Sequence, residues 1–140
     1  MHHETSIDIA AGADVIWSTL TDVEHWPEWT RSVTKVERLD GGELGVGSRA
    51  RVKQPSTPPL TWEVTGYVPE TSFSWASKVP GVTTTGGHRL ATGPGDTVTV
   101  TLTLDQEGLL ARVVWRLMGS RSRRYVQMEA DGLKRRCEGG

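Results

Sequence analysis

Hydrophobic and polar residues alternate along most of the chain with the two-residue period of a β-strand. The clearest case is residues 97–104, where Val98, Val100, Leu102 and Leu104 alternate with threonines. Glycine- and proline-containing turns separate this segment from similar ones. The pattern predicts seven strands, at residues 5–9, 33–39, 48–54, 60–68, 73–79, 82–90 and 97–104.

Two stretches have helical spacing instead. Between the first two strands, Ile16, Leu20 and Val23 fall on one helical face. Pro27 interrupts this pattern, because proline disfavours the α conformation in the residue before it, so we expect two short helices in tandem. The second stretch runs from residue 109 to about residue 136 and predicts one long amphipathic helix.

Counting residues along the long helix from Leu110 predicts which side faces inward. The inward stripe collects Val113, Val114, Leu117, Arg121, Tyr125 and Met128. The opposite side, which we expect to face solvent, carries Arg112, Arg116, Arg123 and Lys134. Gly132 also falls on the inward stripe, where a glycine allows close backbone approach, leaves space for a ligand or is simply tolerated.

The connections after the helix pair are all short, which favours an antiparallel meander over parallel βαβ units. The predicted fold class is therefore α+β. We expect one domain spanning residues 1–140, in which a curved seven-stranded antiparallel sheet wraps around the long C-terminal helix. A chain of 140 residues is long enough to bury a core of its own.

Charge is distributed unevenly, although the whole chain carries only −1. Residues 109–137 hold half of the 16 Lys and Arg residues, and their only acids are Glu129 and Asp131. A helix of this kind suits an acidic partner, an anionic ligand or a membrane surface. The alternative is an ordinary solvated helix face.

The composition excludes several classes of protein. With 36% hydrophobic and 24% charged residues, the chain is too apolar to be disordered. No run of about 18 apolar residues occurs, so no integral membrane segment is expected. The first residues lack a signal-peptide pattern, and we therefore expect a cytoplasmic protein. A single cysteine, Cys137, excludes an internal disulfide.

The sequence contains no motif for a metal or a cofactor. His2, His3, His25 and His88 lack metal-ligand spacing, and the tandem pair near the N-terminus is predicted to fray. There is neither a glycine-rich phosphate loop nor a GxSxG nucleophile motif. We therefore expect no metal site, no cofactor and no nucleic-acid partner.

Several short motifs follow one another along the chain. They are Asp14-Val15-Ile16-Trp17, Leu20-Thr21-Asp22, Trp26-Pro27-Glu28-Trp29, Val46-Gly47, Gly95-Asp96-Thr97 and Leu133-Lys134. With the element order, they resemble the polyketide cyclase/dehydrase branch of the START and birch-pollen-allergen-like superfamily (SRPBCC), which has the helix-grip fold. The resemblance covers essentially the whole chain. It implies an apolar pocket between sheet and C-terminal helix, used for lipids, sterols, polyketides and plant hormones, but it implies no reaction.

The residue pattern and the resemblance together select candidate ligand contacts. Trp62 and Trp75 have apolar neighbours on the same strand face, and Trp26 and Trp29 flank Pro27 at the expected cavity mouth. Core packing is the alternative for the strand tryptophans. The full candidate set is Trp26, Trp29, Trp62, Trp75, His88, Leu90, Val100, Val114, Leu117, Met118, Arg121, Tyr125 and Met128.

Three polar members of this set are candidates for orienting a ligand. His88, in the predicted sixth strand, is either a general acid or base or a structural histidine. Arg121 lies on the apolar stripe, where its charge must be paired internally, reach an anionic ligand or extend to solvent. Tyr125 lies one turn away and can supply a phenolic proton. His88 and Tyr125 are the candidates for catalysis.

Three functions remain open at this point. The leading hypothesis is the binding of a hydrophobic or amphipathic small molecule, such as a lipid, polyketide or isoprenoid. The second is a polyketide aromatase/cyclase that uses general acid/base catalysis in the same cavity. The third is an interaction protein whose basic helix docks an acidic partner, such as an acyl carrier protein. We expect a monomer or a homodimer.

Overall fold

The computed structural model of the protein describes residues 1–139 and contains one seven-stranded antiparallel sheet. The spatial order of its strands is β1-β7-β6-β5-β4-β3-β2, so β2 to β7 form a meander and β1 pairs with the last strand. This confirms the predicted α+β helix-grip fold. The strands are β1 (His2–Ile9), β2 (Lys35–Arg38), β3 (Arg49–Lys53), β4 (Leu60–Val68), β5 (Ser72–Val79), β6 (Val82–Thr92) and β7 (Val98–Glu107).

The first strand is longer than its alternating pattern predicts. His2 pairs with Asp105 of β7, and His3 pairs with Leu104. The His2 Nδ1 and Asp105 Oδ1 atoms are 2.6 Å apart, and this contact raises the pKa of His2. The prediction that the two histidines fray is wrong, because β7 extends to Glu107 and offers them ladder partners.

Two short helices follow β1, as predicted, but they divide at a different residue. Helix α1 (Ala13–Thr21) ends before a 3₁₀ helix (Val23–Glu28) that contains Pro27. The break comes at Asp22 rather than at the proline. The short 3₁₀ helix accommodates Pro27 because the φ angle that the proline ring fixes is compatible with 3₁₀ geometry.

Helix α2 (Ala111–Cys137) packs against β1, β7 and α1, and its buried residues include Ala111, Val126, Ala130 and Leu133. The C-terminal end is held by Glu138, whose Oε2 accepts hydrogen bonds from the Ala10 backbone N–H and the Lys134 ammonium, each at 2.8 Å. These bonds lower the pKa of Glu138. The helix is therefore anchored to the start of the chain.

The rotation of α2 about its own axis differs from the one predicted. Leu117 is 75% exposed and Val113 53%, although both were placed on the inward stripe. The buried face instead follows Ala111, Val126 and Leu133, which lie about 100° to 160° round the helix from Leu110, on average more than a third of a turn away. The stripe drawn through Leu110 and Leu117 was wrong because it followed the most apolar residues, and several of these lie on the surface.

Gly132 explains how closely α2 approaches the rest of the molecule. A Cβ built on this residue would lie 2.0 Å from the backbone oxygen of Trp29. Of the alternatives that the sequence left open, close backbone approach is the one the structure supports.

Replacing Gly132 by alanine should lower the free energy of unfolding by about 2–3 kcal/mol, because a backbone oxygen blocks the added methyl group. Gly119→Ala is the matched control in the same helix. Its Cβ would lie 3.0 Å from the flexible end of Arg123 and in ordinary contact with the Trp115 ring at 3.5 Å, so stability should stay constant or rise by about 1 kcal/mol. Chemical denaturation of both variants measures this, and equal effects would contradict the packing described.

Candidate functional site

A cavity of about 240 Å³ lies between the concave face of the sheet and the N-terminal half of α2. Strands β3 to β7 supply one wall, and α2 supplies the other. The β5–β6 hairpin reaches the start of α2, where the Leu110 N–H donates to the Gly81 oxygen at 3.0 Å.

One wall of the cavity is built from aromatic rings in mutual contact. The Trp75 ring centroid lies 5.8 Å from that of Trp62 and 5.3 Å from that of Trp26. Trp26 in turn lies 5.6 Å from His88, which stacks on Phe73 at 4.2 Å. Such a wall presents broad apolar faces that suit a flat or conjugated ligand.

His88 is buried in this wall and held in one orientation. Its Nδ1 lies 3.2 Å from the Phe73 backbone oxygen, which only accepts hydrogen bonds, so Nδ1 carries the proton. Its Nε2 then lies 3.3 Å from Oε1 of Glu129 on α2. In the neutral ring Nε2 has no proton of its own.

Glu129 is the least satisfied polar residue of this arrangement. Its Oε1 is buried and has no hydrogen-bond partner, because the contact with His88 is close but poorly aligned. A buried carboxylate oxygen without a hydrogen bond is costly. A proton held by either residue of the pair, or a ligand that donates to Glu129, would relieve that cost.

Arg121 lies on the same helix wall. Its Nη2 is 3.0 Å from the sulfur of Met118, a weak acceptor. Within residues 1–139 no carboxylate comes within ion-pair distance of Arg121. Glu63 of β4 and Asp131 of α2 both lie exposed. The guanidinium is thus available to a ligand.

Tyr125 closes one side of the cavity. Its hydroxyl donates to the Pro55 backbone oxygen at 3.0 Å and so ties α2 to the loop between β3 and β4. The phenolic proton considered for catalysis is therefore already engaged. In this geometry the residue positions the helix, and its hydroxyl oxygen still has lone pairs to offer a ligand.

The structure brings eight of the thirteen predicted contact residues to the cavity. They are Trp26, Trp62, Trp75, His88, Val114, Met118, Arg121 and Tyr125. The other five lie elsewhere: Leu117 on the surface, Leu90 and Val100 in the hydrophobic core, Trp29 against Gly132, and Met128 half-buried outside the lining. The rotation of α2 accounts for Leu117 and Met128, and close packing of sheet and helix accounts for the others.

The sequence reading missed Glu129 as a site residue. Glu129 lies one turn from Tyr125 and two turns from Arg121, so this spacing was the signal available in the sequence. The predicted rotation hid it, because Glu129 falls outside a stripe centred on Leu110. Polar lining residues on other elements, namely Ser32, Gln54, Thr57, Thr84 and Gln106, carry no such spacing signal.

The remaining reactive groups do not form a second site. Cys137 is half-buried, and this burial raises the pKa of its thiol, which keeps it protonated and weakly nucleophilic. Across residues 1–139 no three His, Cys, Asp or Glu side chains converge as metal ligands do. None of the helices in the same range has the length and apolarity that crossing a membrane requires.

Comparison with known proteins places this geometry in a family. Residues 1–138 match the family model described as polyketide cyclase / dehydrase and lipid transport. The chain belongs to this family. It is also similar to a Streptomyces halstedii protein named "Putative polyketide cyclase", with 31% identity over 113 residues that cover 79% of this chain and 95% of the relative.

Solved structures share the fold at lower identity. The Zhui aromatase/cyclase of a Streptomyces species superposes with a TM-score of 0.78 at 19% identity, covering 99% of this chain and 93% of the other. A START superfamily protein of Mycobacterium smegmatis gives 0.77 at 18%, covering 98% and 97%. A major latex-like protein of Panax ginseng gives 0.78 at 15%, covering 98% and 97%. These likenesses support the predicted helix-grip fold.

Because Arg121 has no acidic partner, Arg121→Met should leave the thermal stability of the empty protein unchanged or slightly higher. Arg38→Met is the control, since Arg38 donates to the Gly42 oxygen and pairs with Asp40 at 3.1 Å. That variant should unfold at a lower temperature. Differential scanning calorimetry compares the two, and a large loss in the Arg121 variant would reveal an internal role for its charge.

Proposed function

We propose that the protein binds an amphipathic small molecule of the polyketide type in the cavity between sheet and α2. The observation that carries the proposal is the separation of polar groups within an apolar space. Arg121 and the His88–Glu129 pair both line the cavity, and eight residues of helix place Arg121 and Glu129 about 12 Å apart along α2. A ligand with an anionic or enolic group at one end and a ketone or hydroxyl at the other suits this spacing.

The aromatic wall favours a flat, unsaturated body between the two polar ends. Trp26, Trp62 and Trp75 offer ring faces to it, whereas a flexible saturated chain would gain less from their rigid surfaces. Family membership supports the same class, because the family description includes both cyclases and lipid transport.

Ligand binding should be seen as a saturable change in tryptophan emission on titration with a naphthoate carrying an alkyl chain. Arg121→Met should weaken this acid by about 1.5–3 kcal/mol while leaving the matching alcohol unaffected, since a charge-assisted hydrogen bond is lost. Arg123→Met is the control, because its guanidinium lies over the outer ring of Trp115, 5.9 Å from the centroid. No saturable binding, or equal loss in both variants, would contradict the proposal.

The His88–Glu129 pair favours a second candidate function, an aromatase/cyclase. In an aldol cyclisation a base removes the proton from a carbon between two ketones, and the resulting enolate carbon forms a bond to a second carbonyl carbon. The alkoxide oxygen takes up one proton and becomes a hydroxyl. In the dehydration a base removes the remaining proton from the carbon that formed the bond, and the hydroxyl takes up a second proton and leaves as water while the C=C bond forms. His88 Nε2 and Glu129 Oε1 lie 3.3 Å apart in the cavity, so a single proton shared by the pair gives one residue the role of acid and leaves the other as base.

We expect Glu129→Gln and His88→Gln each to slow cyclisation of a short poly-β-keto thioester by roughly a hundredfold or more, the usual contribution of a general acid or base. Naphthoate affinity should change little in Glu129→Gln, since its shape is kept. Asp131→Asn, an exposed acid of the same helix, is the control. Product analysis by chromatography measures the rate. Turnover that survives in both variants would exclude the pair as the catalytic groups, and absence of turnover in the wild type would leave the protein as a binding protein only.

A further inference from the structure

Four aliphatic residues at the start of α2 lie on the surface. Leu109 is 97% exposed, Leu110 49%, Val113 53% and Leu117 75%. We call these four residues the apolar rim. Single exposed aliphatic residues are common, but three of these share one stripe of a helix and the fourth adjoins it. An exposed apolar patch of this kind is typical of a surface that contacts another apolar surface.

The apolar rim lies beside the cavity wall on the same helix. Val113 precedes Val114, and Leu117 precedes Met118, and in each pair the second residue lines the cavity. Val79 of the β5–β6 hairpin is both exposed and part of the lining. Any surface that covers the rim therefore lies close to the cavity wall.

Positive charge surrounds the apolar rim. Residues 108–128 contain five arginines and no acid. Arg112, Arg116 and Arg124 are exposed, and Arg123 lies over the Trp115 ring. Guanidinium groups bind phosphate oxygens in bidentate fashion, and their alkyl stems extend along apolar surface.

We propose that the apolar rim and its arginines dock the protein onto an anionic lipid bilayer, with the cavity mouth facing the membrane. An amphipathic helix lies in the interface in this way, with its aliphatic side among acyl chains and its basic side at the phosphates. Leu109 and Leu117 are 97% and 75% exposed and lie outside the cavity lining, so the acyl chains of a bilayer can cover them while the arginines beside them meet anionic headgroups. This surface goes beyond the proposed function, since docking does not depend on what the cavity holds.

Co-sedimentation with vesicles tests the proposal. The protein should bind vesicles of phosphatidylglycerol and phosphatidylcholine in equal parts, and only weakly vesicles of phosphatidylcholine. The double variant Leu109→Ser/Leu117→Ser should bind the mixed vesicles at least about tenfold more weakly. Val46→Ser/Val68→Ser removes comparably exposed aliphatic residues elsewhere and should bind like the wild type.

A charge series completes the test. Arg112→Gln/Arg116→Gln should lose about fivefold per arginine on mixed vesicles at low salt. Arg31→Gln/Arg89→Gln removes exposed arginines outside the patch and should change nothing. Circular dichroism verifies that all variants are folded.

Several outcomes would overturn membrane docking. They are absence of binding to either vesicle, equal losses in the control variants, a dimer in solution that the leucine changes dissociate, and binding to an acidic acyl carrier protein but not to vesicles. Naphthoate affinity separates this proposal from the previous one. If the protein binds naphthoate but not vesicles, the membrane proposal has failed. If it binds vesicles but not naphthoate, the proposed function has failed.

Discussion

The close contact between Gly132 of α2 and the backbone of Trp29 determines how the long helix lies on the sheet. At this point helix and loop approach more closely than any side chain allows. The other end of the helix is held by the hydrogen bond from the Leu110 N–H to the Gly81 oxygen of the β5–β6 hairpin. The cavity lies between these two contacts, and Arg121, Tyr125 and Glu129 of the intervening helix line it.

The energetic character of the cavity follows from what this arrangement encloses. Aromatic side chains make most of one wall, so the dielectric around the polar groups is low and each unpaired charge is costly. Arg121 without an acid and Glu129 without a hydrogen bond on Oε1 are therefore unsatisfied in the empty protein. A well-packed core would not retain them, because each lowers stability unless something binds. Their presence favours a ligand site over a solid interior.

The outer side of the same helix obeys a different constraint. The exposure of Leu109 and Leu117 to water is unfavourable, and the arginines beside them have few acids to pair with. The two faces of α2 therefore differ in character. The face toward the cavity carries polar side chains in an apolar space, and the outer face carries exposed aliphatic side chains among arginines. Because they meet at the cavity mouth, binding and docking can operate on one ligand.

The sequence by itself determined the strand alternation, the short connections, the long amphipathic helix and hence the α+β helix-grip fold, because these depend on local period and turn chemistry. It also identified most aromatic members of the cavity wall, since alternation fixes the face of a strand. The tertiary structure alone decided the rotation of α2, which removed Leu117 and Met128 from the cavity and introduced Glu129. Helical periodicity reveals an apolar stripe but not whether a core, a ligand or another surface covers it, and that depends on contacts between residues as distant in sequence as Trp29 and Gly132.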